Sequence, residues 1–179
     1  MPDEAEKAYL NAIGVRQTHD RTFKFDFRNR VGLAGSMINL SNVKRNRGEF
    51  EGAIKFYDPA IQMLAGLPET GVISERQLAA KYLRNAYWGR AHAFDLSARY
   101  GDAVEDWDEA VKLEATSYKH IFQLRAAESQ LRAGDYANAV LRCNTIVENK
   151  NLQPHVIFDL ALVVVRGAKS ASQDTQLNS

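Results

Sequence analysis

The chain has 179 residues, of which 45% are hydrophobic, and its 23 basic and 22 acidic side chains leave a net charge of +1. This composition supports a buried core in one domain, and the balanced charge argues against nucleic acid or a membrane surface as the partner. The single cysteine excludes an internal disulfide and fits a reducing compartment. The acidic start is unlike a signal peptide, and the apolar run from Val156 to Val165 is too short to span a bilayer. We therefore expect a cytoplasmic protein.

Apolar periodicity and turn residues predict a chain composed of helices. About eight are expected, at roughly residues 3–17, 22–46, 49–65, 74–96, 102–114, 117–133, 135–149 and 154–168. Pro59 lies inside the third helix and is expected to bend it. The tail from Ser170 to Ser179 is polar and without periodicity, so we predict that it is disordered.

Three of these helices carry recognisable start signals. Thr22 or Asp26 is the predicted N-cap of the second helix, because either side chain can accept a hydrogen bond from the first turn. Ser74, followed three residues later by Gln77, has the spacing of a capping box for the fourth helix. Pro154 suits the first position of the last helix, where its missing N–H is harmless.

One pattern of side chains recurs along the helices. A first helix presents large, apolar, small and large positions on one face, and the next helix presents small, aromatic and small positions. The copies are Met37, Leu40, Ser41, Lys44, Ala53, Tyr57, Ala60, then Tyr87, Arg90, Ala91, Phe94, Ala103, Trp107, Ala110, then Gln123, Ala126, Ala127, Gln130, Ala139, Cys143, Ile146. The half-copies are Ala5, Tyr9, Ala12 at the start and Ile157, Leu160, Ala161, Val164 at the end. In the central copy we predict an antiparallel hairpin over Asn85–Glu114, with Ala91 facing Trp107.

This spacing resembles the tetratricopeptide repeat family, whose signature is W-x2-L-G-x2-Y…A-x3-F…P. The stretches RGEFEGAIKFYDPAI and AGDYANAVLRCNTIV are similar to its turn and second helix almost residue for residue. The resemblance covers nearly the whole chain and implies an all-α fold, in which helix hairpins stack into a right-handed superhelix, an α-solenoid. The chain departs from the family at Lys44 and Gln130, where an aromatic is preferred, and at Arg90, where leucine is preferred.

The resemblance also implies a domain organisation. We predict one array over residues 1–169 and a disordered tail over 170–179. The array comprises a half-repeat at 3–19, repeats at about 22–66, 74–114 and 117–149, and a terminal helix at 153–169. The intervals between copies are irregular and mostly longer than the family's repeat of about 34 residues.

Stacked helix pairs curve, and the first helix of each pair lines the concave side. The predicted groove-facing residues are Asn39, Asn42, Arg45, Asn85, Trp88, His92, Leu124, Arg125, Glu128 and Arg132. Such a surface suits an extended peptide, because amides bond its backbone, arginines pair with a carboxylate or phosphate, and Trp88 supplies an anchor. For Trp88, a contact between repeats is an equal alternative. We therefore predict a non-catalytic scaffold that binds a peptide or partner protein.

Two further expectations come from the resemblance. Family members that grip a C-terminal carboxylate use asparagine and basic residues at some groove places, which Asn39 and Arg125 match. Ile38 stands where that clamp needs a lysine, which weighs against this version. The order of motifs is also similar to the C-terminal arrays of some bacterial Ser/Thr protein kinases, which implies a signalling context and a kinase domain upstream.

Catalytic and metal signatures are not visible in the sequence. His92 and Asp95 lie three residues apart on one helix, without HExxH, CxxC, a glycine-rich phosphate loop or a GxSxG elbow. We expect no catalytic residue, cofactor or metal. A small-ligand or metal site of an enzyme centred on His92 and Asp95 is one alternative, and a purely structural spacer is another.

The terminal helix is apolar nearly all round. One face can cover the preceding helices, which leaves Phe158, Leu162 and Val165 on other faces, where a finishing helix is normally polar. We therefore predict that the chain self-associates through its terminal helices as a two-fold homodimer.

Overall fold

The computed structural model describes residues 2–23, 25–67, 72–116, 118–148, 152 and 154–177. These residues form eight helices and no strand: α1 (Pro2–Thr22), α2 (Phe27–Asn46), α3 (Phe50–Ala65), α4 (Ile73–Leu96), α5 (Tyr100–Leu113), α6 (Lys119–Arg132), α7 (Tyr136–Val147) and α8 (Pro154–Leu177). The prediction of an all-α helical repeat fold is confirmed.

The helices group into two compact units, Met1–Ser97 (unit 1) and Ala98–Ser179 (unit 2). In unit 1, α2 packs on α1 and α3, and α4 packs on both α3 and α2. Unit 2 has the same kind of order, with α6 on α5, α7 on α6, and α8 on both α7 and α6. The predicted single array, its right-handed superhelix and the hairpin of α4 with α5 concern both units and stay predictions.

In the three full copies of the recurring pattern, the second-helix positions are buried as predicted. The middle position of each second helix, Tyr57, Trp107 or Cys143, is 0% exposed. Around them lie small residues that allow helices to approach closely, and a side chain at Gly89 on α4 would collide with the phenol of Tyr57 on α3. The small positions that are also fully buried are Ser41, Ala53, Ala60, Ala91, Ala103, Ala110, Ala126, Ala127 and Ala139.

Polar contacts explain why polar residues replace apolar ones at two places in the pattern. Arg90 on α4 pairs with Asp58 on α3, with 2.6 Å between Nη1 and Oδ1. Gln130 on α6 accepts a hydrogen bond from Nε of Arg142 on α7 at 3.0 Å, and Arg142 also pairs with Asp108 on α5 at 2.6 Å. At these two places of the recurring pattern, charge-assisted hydrogen bonds therefore join neighbouring helices.

The third departure, Lys44, belongs to an ion-pair network in unit 1. Its Nζ lies 2.7 Å from Glu6 on α1 and 3.0 Å from Glu49, and Arg47 also contacts Glu6 at 2.5 Å and Asp3 at 3.1 Å. Hydrogen bonds from Lys44 and Arg47 lower the pKa of Glu6, and those to Glu6 and Glu49 raise the pKa of Lys44. The network therefore ties the start of α1 to the end of α2.

The turns after α2, α4 and α6 share one backbone feature, a residue in the left-handed region. These residues are Gly48 (φ 81°), Ala98 (φ 59°) and Gly134 (φ 83°). At the first turn the amide of Glu49 donates to the carbonyl of Lys44 at 3.0 Å, as in a Schellman motif. Ala98 adopts the same conformation although its Cβ disfavours it.

The three predicted helix starts can be compared with the structure, and Pro154 is the first residue of α8 as predicted. Asp26 caps α2, since its Oδ1 accepts a hydrogen bond from the amide of Asn29 at 3.0 Å. The capping box at Ser74 was wrong, because α4 begins at Ile73 after the extended residue Val72 and Ser74 lies inside the helix.

The helix ends differ from prediction in α1 and α8. α1 continues past Gln17 to Thr22, and α8 continues past Ala168 to Leu177, through most of the predicted disordered tail. Both extensions lack proline and glycine, so the backbone has no reason to leave the helix. Residues 178–179 of that tail lie outside the described part. α3 is helical across Pro59, and the predicted bend stays a prediction.

The predicted face of α8 was wrong in register. Ile157 is 52% exposed and Ala161 is also exposed. The buried stripe consists of Val156, Leu160, Val163 and Gly167. This helix is apolar on several faces, so its composition does not choose between them. Gly167 packs near the Val140 and Leu131 side chains, where a Cβ would also fit in ordinary van der Waals contact.

Candidate functional site

Arg45 and Trp88 form the centre of a polar and aromatic surface on α2 and α4 in unit 1. The guanidinium carbon of Arg45 lies 5.3 Å from the centroid of the Trp88 ring, within cation–π range. The ring of His92 meets Trp88 edge-on, with 5.2 Å between centroids and 89° between planes. With the exposed Asn39 on α2, these residues are called the α2–α4 surface. The Trp88 ring is therefore held by Arg45 and His92 within the chain itself.

The hydrogen-bonding capacity of this surface is only partly used. Arg45 donates weakly to the carbonyl of Gly89 at 3.5 Å and to Oδ1 of Asn46 at 3.4 Å. Among the described residues no carboxylate pairs with Arg45, and the amide of Asn39 has no hydrogen-bond partner. A guanidinium and an amide thus remain able to bind an incoming acceptor or donor.

Two other predicted groove asparagines are engaged within unit 1. Oδ1 of Asn42 accepts a hydrogen bond of 2.6 Å from the buried Tyr57 hydroxyl. Burial raises the pKa of Tyr57 to about 12, although nearby Arg45 opposes the shift. Oδ1 of Asn85 accepts from Nη2 of Arg84 at 3.0 Å. Asn42 in particular stabilises the packing of α2 on α3.

The predicted groove residues of unit 2 lie on α6 and separate into two kinds. Leu124 is only 5% exposed and belongs to the core, so its assignment to the groove was wrong. Its neighbour Arg125 is exposed and pairs with Glu128 at 2.7 Å. Arg132 is exposed in the last turn, with its guanidinium carbon 6.0 Å from the Tyr100 ring centroid. Leu124 and Arg125 are adjacent in sequence but point in different directions from the helix, so the first lies in the core and the second is exposed to solvent.

A cleft of about 280 Å³ lies between α6 and α8 in unit 2. We call it the α6–α8 cleft. Its lining residues are Glu128, Leu131, Arg132, Asp159, Leu162, Val163, Arg166, Lys169 and Ser170.

Sequence reasoning predicted Glu128 and Arg132 as binding residues but missed Asp159, Arg166 and Lys169. A signal for these was present, since positions 159, 162, 166 and 169 follow i, i+3, i+7, i+10, which is one helix face. Apolar periodicity alone does not reveal it, and a helix that ends near residue 168 does not include Lys169.

The alternative site at His92 and Asp95 gains no further ligand from the fold. Within the described residues, no group of three or more His, Cys, Asp or Glu side chains could hold a metal ion. His92 contacts Trp88, as described above, and the enzyme alternative stays a prediction. Burial raises the pKa of Cys143 to about 11, which disfavours its reactive thiolate form.

The residues predicted to mediate self-association are all at the surface of α8. Phe158 is 69% exposed, Val165 64%, and Leu162 37%, where it also lines the α6–α8 cleft. No helix in the described ranges is both long enough and apolar enough to cross a bilayer.

Comparison with known proteins finds similarity to solved structures alone. No family model matches the chain, and no curated protein matches it. The chain is similar to BtubC (BKLC) from P. vanneervenii, with a TM-score of 0.49 and 12% sequence identity. That similarity covers 99% of this chain and 91% of the other.

Proposed function

We propose that the chain is a non-catalytic interaction module that binds an extended peptide segment of a partner protein on the α2–α4 surface. The observation that carries this proposal is the pairing of Arg45 with Trp88, a cation stacked on an aromatic ring without a carboxylate among the described residues. Core packing does not need such a pair, whereas arginine and tryptophan are enriched in the residues that dominate protein interfaces.

Each side chain of the surface has a distinct role in this proposal. Trp88 packs against an apolar side chain of the peptide, Arg45 pairs with a carboxylate or phosphate, and Asn39 bonds the extended backbone. The contact with His92 limits the rotation of Trp88, which lowers the entropy lost on binding. In unit 2, Arg125, Glu128 and Arg132 offer further polar contacts.

The spacing of the buried pattern supports placing the chain in the tetratricopeptide repeat family, whose arrays expose extended binding surfaces. The order of its motifs supports a role as the C-terminal part of a bacterial signalling protein such as a Ser/Thr kinase, in the cytoplasm. A purely structural spacer has no use for an unpaired arginine stacked on tryptophan, so we rank that alternative lower.

The test uses peptides selected on the chain itself. A random peptide library is displayed and selected against the wild-type chain, and binding is then compared with the double variant Asn39→Ala, Arg45→Gln. We expect a loss of affinity of about tenfold or more, equivalent to about 1.4 kcal/mol. The matched control is Asn11→Ala, Arg76→Gln, which changes the same residue types at exposed positions of unit 1.

Equal binding by both double variants would show that the α2–α4 surface is not the binding surface. Denaturant unfolding of each variant checks that stability is unchanged, since exposed substitutions usually alter it by less than about 0.5 kcal/mol. Stoichiometric zinc or iron in the purified protein would instead favour the alternative site at His92 and Asp95.

A further inference from the structure

The α6–α8 cleft contains cations that the protein itself does not neutralise. Within the described residues, Arg132, Arg166 and Lys169 have no carboxylate within ion-pair distance. Glu128 is already paired with Arg125 at 2.7 Å, outside this set of three. The lining has two acidic side chains. Glu128 is paired with an arginine of its own helix, whereas Asp159 is not.

The charge of the cleft can be stated from these residues. The Arg125–Glu128 pair is neutral as a unit, so three cations and Asp159 leave an excess of two positive charges around the cleft. Arg132 is at the end of α6 beside the Tyr100 ring, while Arg166 and Lys169 are nearly one turn apart on α8. Cations from two helices thus converge on one space.

The other part of the lining is apolar. Leu131, Leu162 and Val163 border the same space as the cations. A ligand that matches this arrangement combines a doubly charged anionic group with an apolar body. A carboxylate carries one charge, whereas a phosphate monoester carries about −1.5 to −2 at neutral pH and offers three acceptor oxygens.

We propose that the α6–α8 cleft binds a phosphate monoester on an apolar or aromatic carrier, namely a phosphorylated side chain of a partner protein. The arginines bind two phosphate oxygens each through their planar forks, and Lys169 acts as a point charge. The volume of about 280 Å³ accommodates a phosphorylated side chain. The inference that the phosphate is carried by a partner protein rests on the proposed function. The inference that the cleft binds a phosphate monoester does not.

The first experiment titrates phenyl phosphate into the isotope-labelled full chain and follows amide resonances. We expect saturable shifts at residues 128–132 and 159–170, with little change on α2 and α4. Phenyl sulfate has the same shape with a single charge, and we expect it to bind about tenfold more weakly. Absence of a saturable shift, or equal affinity for the two esters, would overturn the proposal.

The second experiment varies the charge of the cleft in both directions. Arg166→Gln with Lys169→Gln is expected to weaken phenyl phosphate binding about tenfold or more, because two cations are lost. Asp159→Asn is expected to strengthen binding about threefold, an increase that misfolding cannot produce. Unchanged affinity in both would contradict the assignment.

Two controls make the result specific. Lys112→Gln with Lys119→Gln also removes two positive charges from exposed sites in unit 2, but outside the cleft. It should bind phenyl phosphate as the wild type does. Trp88→Ala should also leave the affinity for phenyl phosphate unchanged while reducing peptide binding on the α2–α4 surface. If phenyl phosphate does not bind to the wild type but the peptide does, this inference fails and the proposed function stands. If the peptide does not bind but phenyl phosphate does, the proposed function fails and the phosphate site stands.

Discussion

The two units use the same buried pattern but stabilise it differently. In unit 1 the core contains large side chains from both helices of a hairpin, including Leu33, Leu40 and Tyr57, and the Glu6–Lys44 ion pair ties α1 to α2. In unit 2 the described core cluster around Cys143 contains eight buried residues, against fourteen in the cluster of unit 1, and α8 closes it. Large apolar side chains of α8 are also exposed. Because its core cluster is smaller, we expect unit 2 to open first.

The largest expected effect tests this comparison directly. Trp107→Ala should destabilise unit 2 by about 3–5 kcal/mol, because the indole is fully buried beside Phe122 and its removal leaves a cavity. Denaturant unfolding followed by circular dichroism gives the measurement, while fluorescence of the remaining Trp88 reports on unit 1 separately. A loss below about 1 kcal/mol, no larger than that of the exposed-site control Leu141→Ala, would show that the assigned packing is wrong.

The next effect concerns the pH dependence of unit 1. Burial raises the pKa of Tyr57 to about 12 from an ordinary value of 10.0, so the unfolded chain loses this proton first. The stability from this group is complete below pH 10 and is lost as pH rises towards 12, by about 2.7 kcal/mol in all, since one pKa unit corresponds to about 1.36 kcal/mol. Tyr57→Phe should remove this part of the pH dependence. A difference between the two proteins that does not vary over pH 10–12 would contradict the raised pKa.

A smaller effect concerns the turn at Ala98, where unit 2 begins. Ala98→Gly should increase the free energy of unfolding by about 0.5–1 kcal/mol, because the left-handed conformation penalises a Cβ by about 1–2 kcal/mol. Thermal or denaturant unfolding measures the change. The reverse substitution, Gly134→Ala, should destabilise by a similar amount at the matching turn. If both variants shift stability in the same direction, the turns do not share the inferred constraint.

The smallest expected effect on stability tests what the exposed face of α8 does. Phe158→Glu should change the unfolding free energy by less than about 0.5 kcal/mol, because the ring is largely exposed. If the predicted two-fold association through Phe158, Leu162 and Val165 occurs, light scattering at micromolar concentration should show a dimer for the wild type and a monomer for the variant. A wild-type monomer, with solubility unaffected by the substitution, would contradict it.

The buried pattern was predictable because it depends on local spacing. Tyr57, Trp107 and Cys143 each occupy a position that helix periodicity alone places inside. The polar partners of Arg90 and Gln130 were not predictable, because Asp58 and Arg142 are distant in sequence and meet them only in the folded chain. The polar side chains at these two places of the pattern therefore make contacts that local spacing does not reveal.

The candidate surfaces were predicted unevenly for a related reason. Arg45 and Trp88 were both expected on the groove, although their stacking depends on how α2 meets α4. In α8 several faces are apolar, so sequence could not determine which one is buried, and the cations Arg166 and Lys169 were overlooked. When a helix has one apolar face, the sequence predicts which residues are buried. When it has several, the buried face depends on the helices that pack against it.

Cys143 makes the opening of unit 2 measurable without denaturant. A thiol reagent attacks the thiolate, and this thiol is fully buried with its pKa raised to about 11, so in the closed form it is protected twice. The chain contains one cysteine, so consumption of the reagent at neutral pH reports a single site. When closing is faster than the reaction, the labelling rate is proportional to the open population. The ratio of this rate to the rate for an unprotected thiol then gives the free energy of opening of α7 and its neighbours in the native protein.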